Sequence, residues 1–277
     1  MQIPPISTTI ELDSFSIRTN KRLENVQSQA HKWTAEEFER LVVESHPKIA
    51  VFDCDGTLWS GDAAFGFFGW SLEQGMVSRA TQDWIDNRYR SYLAGNVSED
   101  AMCGEMVQMY AGLHDAELQA AAARYVGEFV RKNYFAEIVS LIEKLRQAGV
   151  ELWAVSSTNR WVIAEGVREF GIPVERILCA DVHVENGIIT DKLIDVPTGP
   201  AKATALRRVG LSAPDAVFGN SLHDLAMLEL ARAPFAVNPS PGLLEAVAQR
   251  GWGYFRPQAA EGVEAEVAGE SNPGPGL

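Results

Sequence analysis

Residues 48–57, Lys-Ile-Ala-Val-Phe-Asp-Cys-Asp-Gly-Thr, are the stretch whose reading decides the fold. The first half is a short apolar run, which reads as a strand buried on both faces. It stops at once in Asp53-Cys54-Asp55-Gly56-Thr57, where glycine lets the chain turn. Two carboxylates two positions apart can then point at one spot beyond the strand. The pattern recurs: 150–155 (VELWAV) ends at Ser156, 216–219 (AVFG) ends at Asn220, and 235–238 (FAVN) is a fourth run. Ile138, Leu141, Ile142 and Leu145 share a helical face before the second run; Val162, Ile163, Val167 and Phe170 share one after it. Buried strands alternating with helices predict an α/β fold, a doubly wound and mostly parallel sheet. Ligands collect at the carboxyl ends of such strands. Asp53, Ser156 and Asn220 are therefore expected to converge.

Working outward, residues 61–134 are too many for a simple crossover and read as helical. Ile85, Tyr89, Tyr92 and Leu93 keep helical spacing, as do Met102, Met106, Met109 and Tyr110, and then Leu118, Ala122, Tyr125, Val126 and Phe129. Ser98 is placed to cap the middle helix. The expected organisation is an N-terminal helical extension (1–47), a core domain (48–60 and 135–256), a helical cap inserted after the first strand (61–134) and a flexible tail (257–277). Within the extension, Thr34 and Glu37 fit a capping box, with Phe38, Leu41 and Val42 on the packed face. Asn186-Gly187 between alternating segments signals a hairpin.

The net charge of −13 argues against nucleic acid or an anionic membrane as partner. No apolar run approaches the length of a spanning helix, and the N-terminal stretch lacks the basic start and apolar run of a secretory signal. Cys54, Cys103 and Cys179 match no zinc spacing. Reduced thiols in a cytoplasmic protein are the expectation.

A calcium loop also uses Asp-x-Asp, but it needs oxygen ligands through to a glutamate at its twelfth position, and here that position is Ala64. The other signals favour different chemistry. Lys202 follows in TGPAKATALRRVG near a helix start marked by Pro200, and GNSLHDLAML places Asn220 and Asp224 four apart. Phosphoryl transfer needs such a set: an in-line nucleophile, a metal ion against phosphate charge, donors for the equatorial oxygens and an acid for the leaving oxygen.

On these four motifs, the chain over roughly residues 48–250 resembles the haloacid dehalogenase superfamily, and within it the phosphoserine phosphatase branch, which has a Rossmann-like core and a helical cap between its first and second motifs. The resemblance implies a Mg²⁺-dependent phosphatase acting on a small phosphorylated metabolite. Asp53 would be the nucleophile that becomes an aspartyl-phosphate and a metal ligand. Asp55 would be the acid/base, its backbone carbonyl a further ligand. Ser156, or Ser157 if the strand ends one residue later, would hold a phosphate oxygen. Lys202 would pair with phosphate and nucleophile, and Asp224 would be a metal-site carboxylate. Asn220 departs from the pattern, in which an aspartate is usual; its amide oxygen can still ligate Mg²⁺ but brings no charge. Asp55 argues for phosphate esters over carbon–halogen bonds, since an alkoxide needs a proton to leave and a halide does not.

Asp62 stands where the branch carries a glutamate near the substrate amino group; it is equally placed to cap the first cap helix. Arg88, Arg90 and Arg160 are candidate anchors for a substrate carboxylate, in no matching context; for Arg160 a solvated helix start is the simpler expectation. Trp59, Phe65, Phe67, Phe68, Trp70 and Trp84 are read first as packing, although an aromatic site for a choline-like or other amine-containing phosphate is conceivable. His183 and His223 are read as surface or packing residues. A phosphotransferase or phosphomutase, or a catalytically idle binding protein, are the alternatives.

Overall fold

The structure is a computed structural model that describes residues 30–261. The polar opening of the expected extension and most of the expected tail lie outside the described residues. Eight strands form one sheet: β1 (His31–Trp33), β2 (Ile49–Phe52), β3 (Glu151–Asn159), β4 (Ile177–Glu185), β5 (Ile188–Asp195), β6 (Ala216–Gly219), β7 (Ala233–Val237) and β8 (Gly253–Phe255). Their order is β1-β8-β7-β6-β2-β3-β4-β5. Every neighbouring pair is parallel except β4 with β5. β2 lies between β3, which follows it in the chain, and β6, which comes much later. That is the switch point where α/β sheets open a crevice.

The helices are α1 (Ala35–Glu44), α2 (Ala63–Glu73), α3 (Arg79–Leu93), α4 (Glu99–Gln108), α5 (Asp115–Tyr125), α6 (Ala136–Gln147), α7 (Arg160–Gly166), α8 (Pro200–Arg208), α9 (Leu225–Leu228) and α10 (Pro241–Arg250). Four of them, α2–α5, intervene between β2 and α6. None of the described helices is long and apolar enough to cross a membrane.

The apolar run of β2 behaves as its composition requires. Ala50, Val51 and Phe52 are wholly buried, and Phe52 stacks on Phe218 of β6 with centroids 4.3 Å apart. The Asp53 N–H donates to the Phe218 carbonyl (3.0 Å), so the register that pairs the strands also fixes the first functional residue. Asn186 and Gly187 both take positive φ, +52° and +80°, as the two-residue hairpin between β4 and β5 demands.

Several expectations need correction. The capping box at α1 is present, with Thr34 Oγ1 accepting from the Glu37 N–H and Glu37 Oε2 accepting from the Thr34 N–H. Yet this segment is no appended piece. β1 pairs with β8, and Phe38 stacks on Phe255 at 4.5 Å. Three-residue strands are too short to carry a periodic signal, which is why β1 and β8 escape a reading by pattern. Residues 258–260, expected in the tail, form a 3₁₀ turn with Ala260 buried. β3 runs on to Asn159 instead of ending at Ser156, and its register with β4 shifts between Val155 and Asn159. Leu93, expected on a packed face, is exposed.

The cap helices do not rest on the core by side chains alone. Gly112 N–H donates to the Ile189 carbonyl (2.8 Å), Ile189 N–H to the Leu113 carbonyl (2.9 Å) and Asp115 N–H to the Gly187 carbonyl (2.9 Å). The link between α4 and α5 is thus stitched to the β4–β5 hairpin by backbone hydrogen bonds.

Candidate active site

Asp53 follows β2 directly and is 5% exposed. Its Oδ1 accepts from Lys202 Nζ (2.6 Å) and its Oδ2 from Thr57 Oγ1 (2.8 Å). Lys202 comes from the first turn of α8, which Pro200 opens, and is itself buried. The same ammonium donates to Asp224 Oδ1 (2.6 Å). Asp224 Oδ2 accepts from the backbone N–H groups of Asn220 and Ser221 (2.9 Å each) and from the Ser221 hydroxyl (3.2 Å). Both Asp224 oxygens are therefore taken up by the loop after β6 and by Lys202. Its visible work is to hold that loop and aim the ammonium.

Three groups of like burial but unequal charge set the electrostatics. Burial alone would pull the Lys202 ammonium down, but Asp224 and Asp53 outweigh it and hold it above its ordinary range. Burial and the charge of Asp224 push the Asp53 carboxyl up to about 7 despite Lys202. Two buried carboxylates share one cation, so the site has negative charge to spare.

Asp55 has a different set of partners. Its Oδ1 accepts from Trp59 Nε1 and from the Ala63 N–H at the start of α2 (2.8 Å each), and its Oδ2 accepts from Thr158 Oγ1 (2.6 Å). Burial and then the neighbouring Asp62 charge raise it to about 6, against the pull of these donors. Gly56, directly after the second aspartate, has φ +76°, and a Cβ there would sit 1.9 Å from Asn220 Nδ2. Glycine is what allows the Asn220 amide to lie against the turn.

Ser156 is buried, and its Oγ accepts the Thr158 N–H (3.1 Å). Ser157 bonds the Cys103 thiol of α4 instead. Asp62 caps α2, its Oδ1 accepting the Phe65 N–H (2.9 Å). Burial raises Asp55, Tyr89, Tyr92 and Tyr125, and the Asp62 charge adds to each.

The arginines are occupied. Arg88 makes a two-pronged pair with Glu105 (2.6 and 2.7 Å), and Arg90 donates to Asn87. Arg160, expected as a solvated helix start, is paired with Asp115 and with Asp181 (2.8 Å). Trp59, Phe67, Phe68 and Trp70 are buried as packing residues, while Phe65 and Trp84 are exposed. His223, expected as a bland residue, crosses the seam to the cap: its Nδ1 meets Glu99 Oε2 at 2.6 Å, and Glu99 Oε1 accepts from Thr198 Oγ1 (2.7 Å).

Thr158, Trp59 and Glu99 were not singled out for these contacts by the sequence. Thr158 lies two residues past Ser156 in a polar run that was legible; Trp59 was hidden by its packing role; Glu99 carries no local signal at all.

No group of three His, Cys, Asp or Glu side chains among the described residues forms a metal cage. The groups expected to hold a cation, the Asp53 carboxylate, the Asp55 carbonyl and the Asn220 amide, offer oxygen donors only. Hard-cation chemistry suits such a set, and a divalent ion would answer the spare negative charge. The residues therefore fit Mg²⁺.

A histidinol-phosphatase of Neisseria meningitidis serogroup C is 25% identical over 215 residues, covering 74% of this chain and 96% of its own. Phosphoserine phosphatase SerB1 of Mycobacterium tuberculosis is 26% identical over 213 residues, 73% of this chain and 68% of its own. A crystal structure of a protein of unknown function from Bordetella pertussis shares the fold with a TM-score of 0.67 at 22% identity, covering 75% of this chain and 97% of that one. The family model for haloacid dehalogenase-like hydrolases matches residues 50–229, from the middle of β2 to just beyond α9, and so takes in each strand end that supplies the site. The chain belongs to the haloacid dehalogenase-like hydrolase family.

Proposed function

We propose that this chain is a phosphoric monoester hydrolase that acts on a small phosphorylated metabolite with Mg²⁺, through an aspartyl-phosphate at Asp53. The observation that carries the reading is a single one. A buried carboxylate at the carboxyl end of β2 is gripped by Lys202 and Thr57, with a second carboxyl of raised pKa two residues away.

Asp53 attacks phosphorus, and Lys202 tempers the repulsion between carboxylate and phosphate. Ser156 and the backbone N–H groups of the turn donate to the equatorial oxygens. Asp55 gives its proton to the leaving oxygen and later takes one from water, so that inorganic phosphate is released. Asp53, the Asp55 carbonyl and Asn220 would hold the metal ion, while Asp224 acts through Lys202. When bound, Mg²⁺ supplies charge neutralisation that lowers the cost of bringing an anion to Asp53. Asp55, as an acid/base beside the nucleophile, favours turnover over idle binding.

The cap narrows the substrate. Asp62, whose charge bears on Asp55, offers a negative group suited to an ammonium group. Arg88, Arg90 and Arg160 are engaged with Glu105, Asn87, Asp115 and Asp181, so a substrate carboxylate finds no ready partner among them. An amino-alcohol phosphate therefore fits better than phosphoserine. Of the relatives named above, the histidinol-phosphatase takes an amino-alcohol phosphate by its name and the phosphoserine phosphatase does not.

The test is phosphate release from a panel containing phosphoethanolamine, phosphocholine, histidinol phosphate and phosphoserine, with Mg²⁺, with chelator and with Asp53→Asn. Metal-dependent release lost in the variant is expected, with amino-alcohol esters preferred. Release that survives Asp53→Asn would refute the nucleophile; a preference for phosphoserine would refute the substrate reading.

A further inference from the structure

The hydrogen bonds around Asp55 say which of its oxygens handles the proton. A carboxyl oxygen offers two in-plane lone-pair positions. Oδ1 spends both on N–H donors, Trp59 Nε1 and the Ala63 backbone, and neither of these can turn round to accept. A proton on Oδ1 would face an N–H. Oδ2 has one partner, the Thr158 hydroxyl at 2.6 Å, and a hydroxyl can rotate between donating and accepting.

We infer that Thr158 is a positioning residue: its hydroxyl fixes Asp55 Oδ2, the oxygen that the two N–H donors on Oδ1 leave to serve the leaving group. The inference rests on the phosphatase reading above. With Asp55 ionised, Thr158 donates to Oδ2. With Asp55 protonated, the same hydroxyl keeps the carboxyl from turning, while the Trp59 and Ala63 N–H groups pin the other oxygen. Ala63 is the first residue of α2, so seating of the cap helps to orient the acid. Ser156 accepts the Thr158 N–H, so the phosphate donor and the acid are joined through one residue.

The step balances simply. The Asp53 oxygen forms the new bond to phosphorus as the bond from phosphorus to the leaving oxygen breaks. The electron pair of that bond stays on the leaving oxygen, which takes the Oδ2 proton and departs as an alcohol. Asp55 is left as a carboxylate, and Oδ2 takes a proton back when water cleaves the acyl phosphate.

A group that serves the acid matters in proportion to how badly the leaving group needs a proton. We would measure kcat/KM for phenyl, 4-nitrophenyl and 2,4-dinitrophenyl phosphate, since this constant reports the step in which the phenol leaves. Thr158→Val keeps the shape and removes the hydroxyl; Thr158→Ser keeps the hydroxyl. The phenyl-to-dinitrophenyl ratio of kcat/KM should drop about 10- to 100-fold in Thr158→Val, a part of the 10²–10⁴ that general acid catalysis supplies. Thr158→Ser should restore most of it. The dinitrophenyl ester also reports whether the valine variant is folded.

An equal loss on all three esters, or no loss on any, would overturn the assignment and leave the phosphatase reading intact. Failure of the wild type to cleave any of them, or cleavage that survives Asp53→Asn, would overturn that reading and this one with it.

Discussion

Lys202 is the residue whose removal tells most about the site. It lies between Asp53 and Asp224 with all three side chains buried. Lys202→Met leaves two carboxylates without their cation, which costs about 3–5 kcal/mol when a buried pair loses one partner. Urea unfolding at neutral pH should show a loss of that size, together with a fall in phosphate release of at least about 10²-fold if Lys202 steadies the reacting charge. The two aspartates with raised pKa values predict a pH effect of definite sign. In protein stripped of metal, Asp53 titrates at about 7 and Asp55 at about 6, whereas in the unfolded chain both lie near about 3.9. Between those limits the folded chain holds protons that the unfolded chain has released. Stability from these groups is thus complete below about pH 4 and is lost as pH rises through about 6 to 7. Melting in EDTA should show Asp53→Asn gaining on wild type between pH 5 and pH 8. A constant difference between the two proteins would sink the argument. Asp53 and Asp55 could be named from the sequence because a strand followed by a turn places them with little freedom, and Lys202 because its motif resembles the family's. Thr158 could not be matched to Asp55, because that contact joins two strand ends 103 positions apart.

At the scale of elements, the turn after β2 has no slack. Gly56 combines φ +76° with the Asn220 side chain where a Cβ would be. Gly56→Ala must strain the backbone, displace Asn220, or both. A loss of about 1–3 kcal/mol is expected for such strain, with weaker Mg²⁺ binding by calorimetry because Asn220 has moved. Unchanged stability and metal affinity would show that the turn can relax. The loop after β6 is equally constrained. A Cβ at Gly219 would lie 2.5 Å from Asp224 Cβ, so the chain can fold Asp224 back over the strand end only with glycine there. The strand β6 and its glycine are legible in the run AVFG. The inward use of Asp224 is not, because it depends on three donors converging from its own loop and on Lys202 arriving from α8.

Across the whole molecule, the cap has two limbs with different attachment. The α4–α5 limb is stitched to the β4–β5 hairpin by backbone hydrogen bonds and reinforced by Arg160 with Asp115 and Asp181, and by Glu99 with His223 and Thr198. The α2–α3 limb lacks such backbone stitching among the described residues: α3 buries only Ile85 fully, and Trp84 and Leu93 are exposed. Local opening follows the segments with fewest buried contacts. Hydrogen exchange should be faster in residues 79–93 than in residues 112–118, and a substrate analogue should slow the first region more than the second. Equal protection of both limbs would mean that the cap moves as one body or not at all.

The sequence by itself determined the parts that local physics controls. Buried apolar runs ending in turns made strands, the capping box made α1, Asn186-Gly187 made the hairpin, and the aspartates after β2 stood where a parallel sheet collects its ligands. Tertiary structure alone decided which partners those residues found. It brought β1 to β8, set Glu99 against His223, consumed Arg160 in ion pairs and turned Asp224 toward its own loop. These contacts join positions far apart in the chain, and no local pattern encodes them, because their free energy exists only once the sheet has brought both sides together.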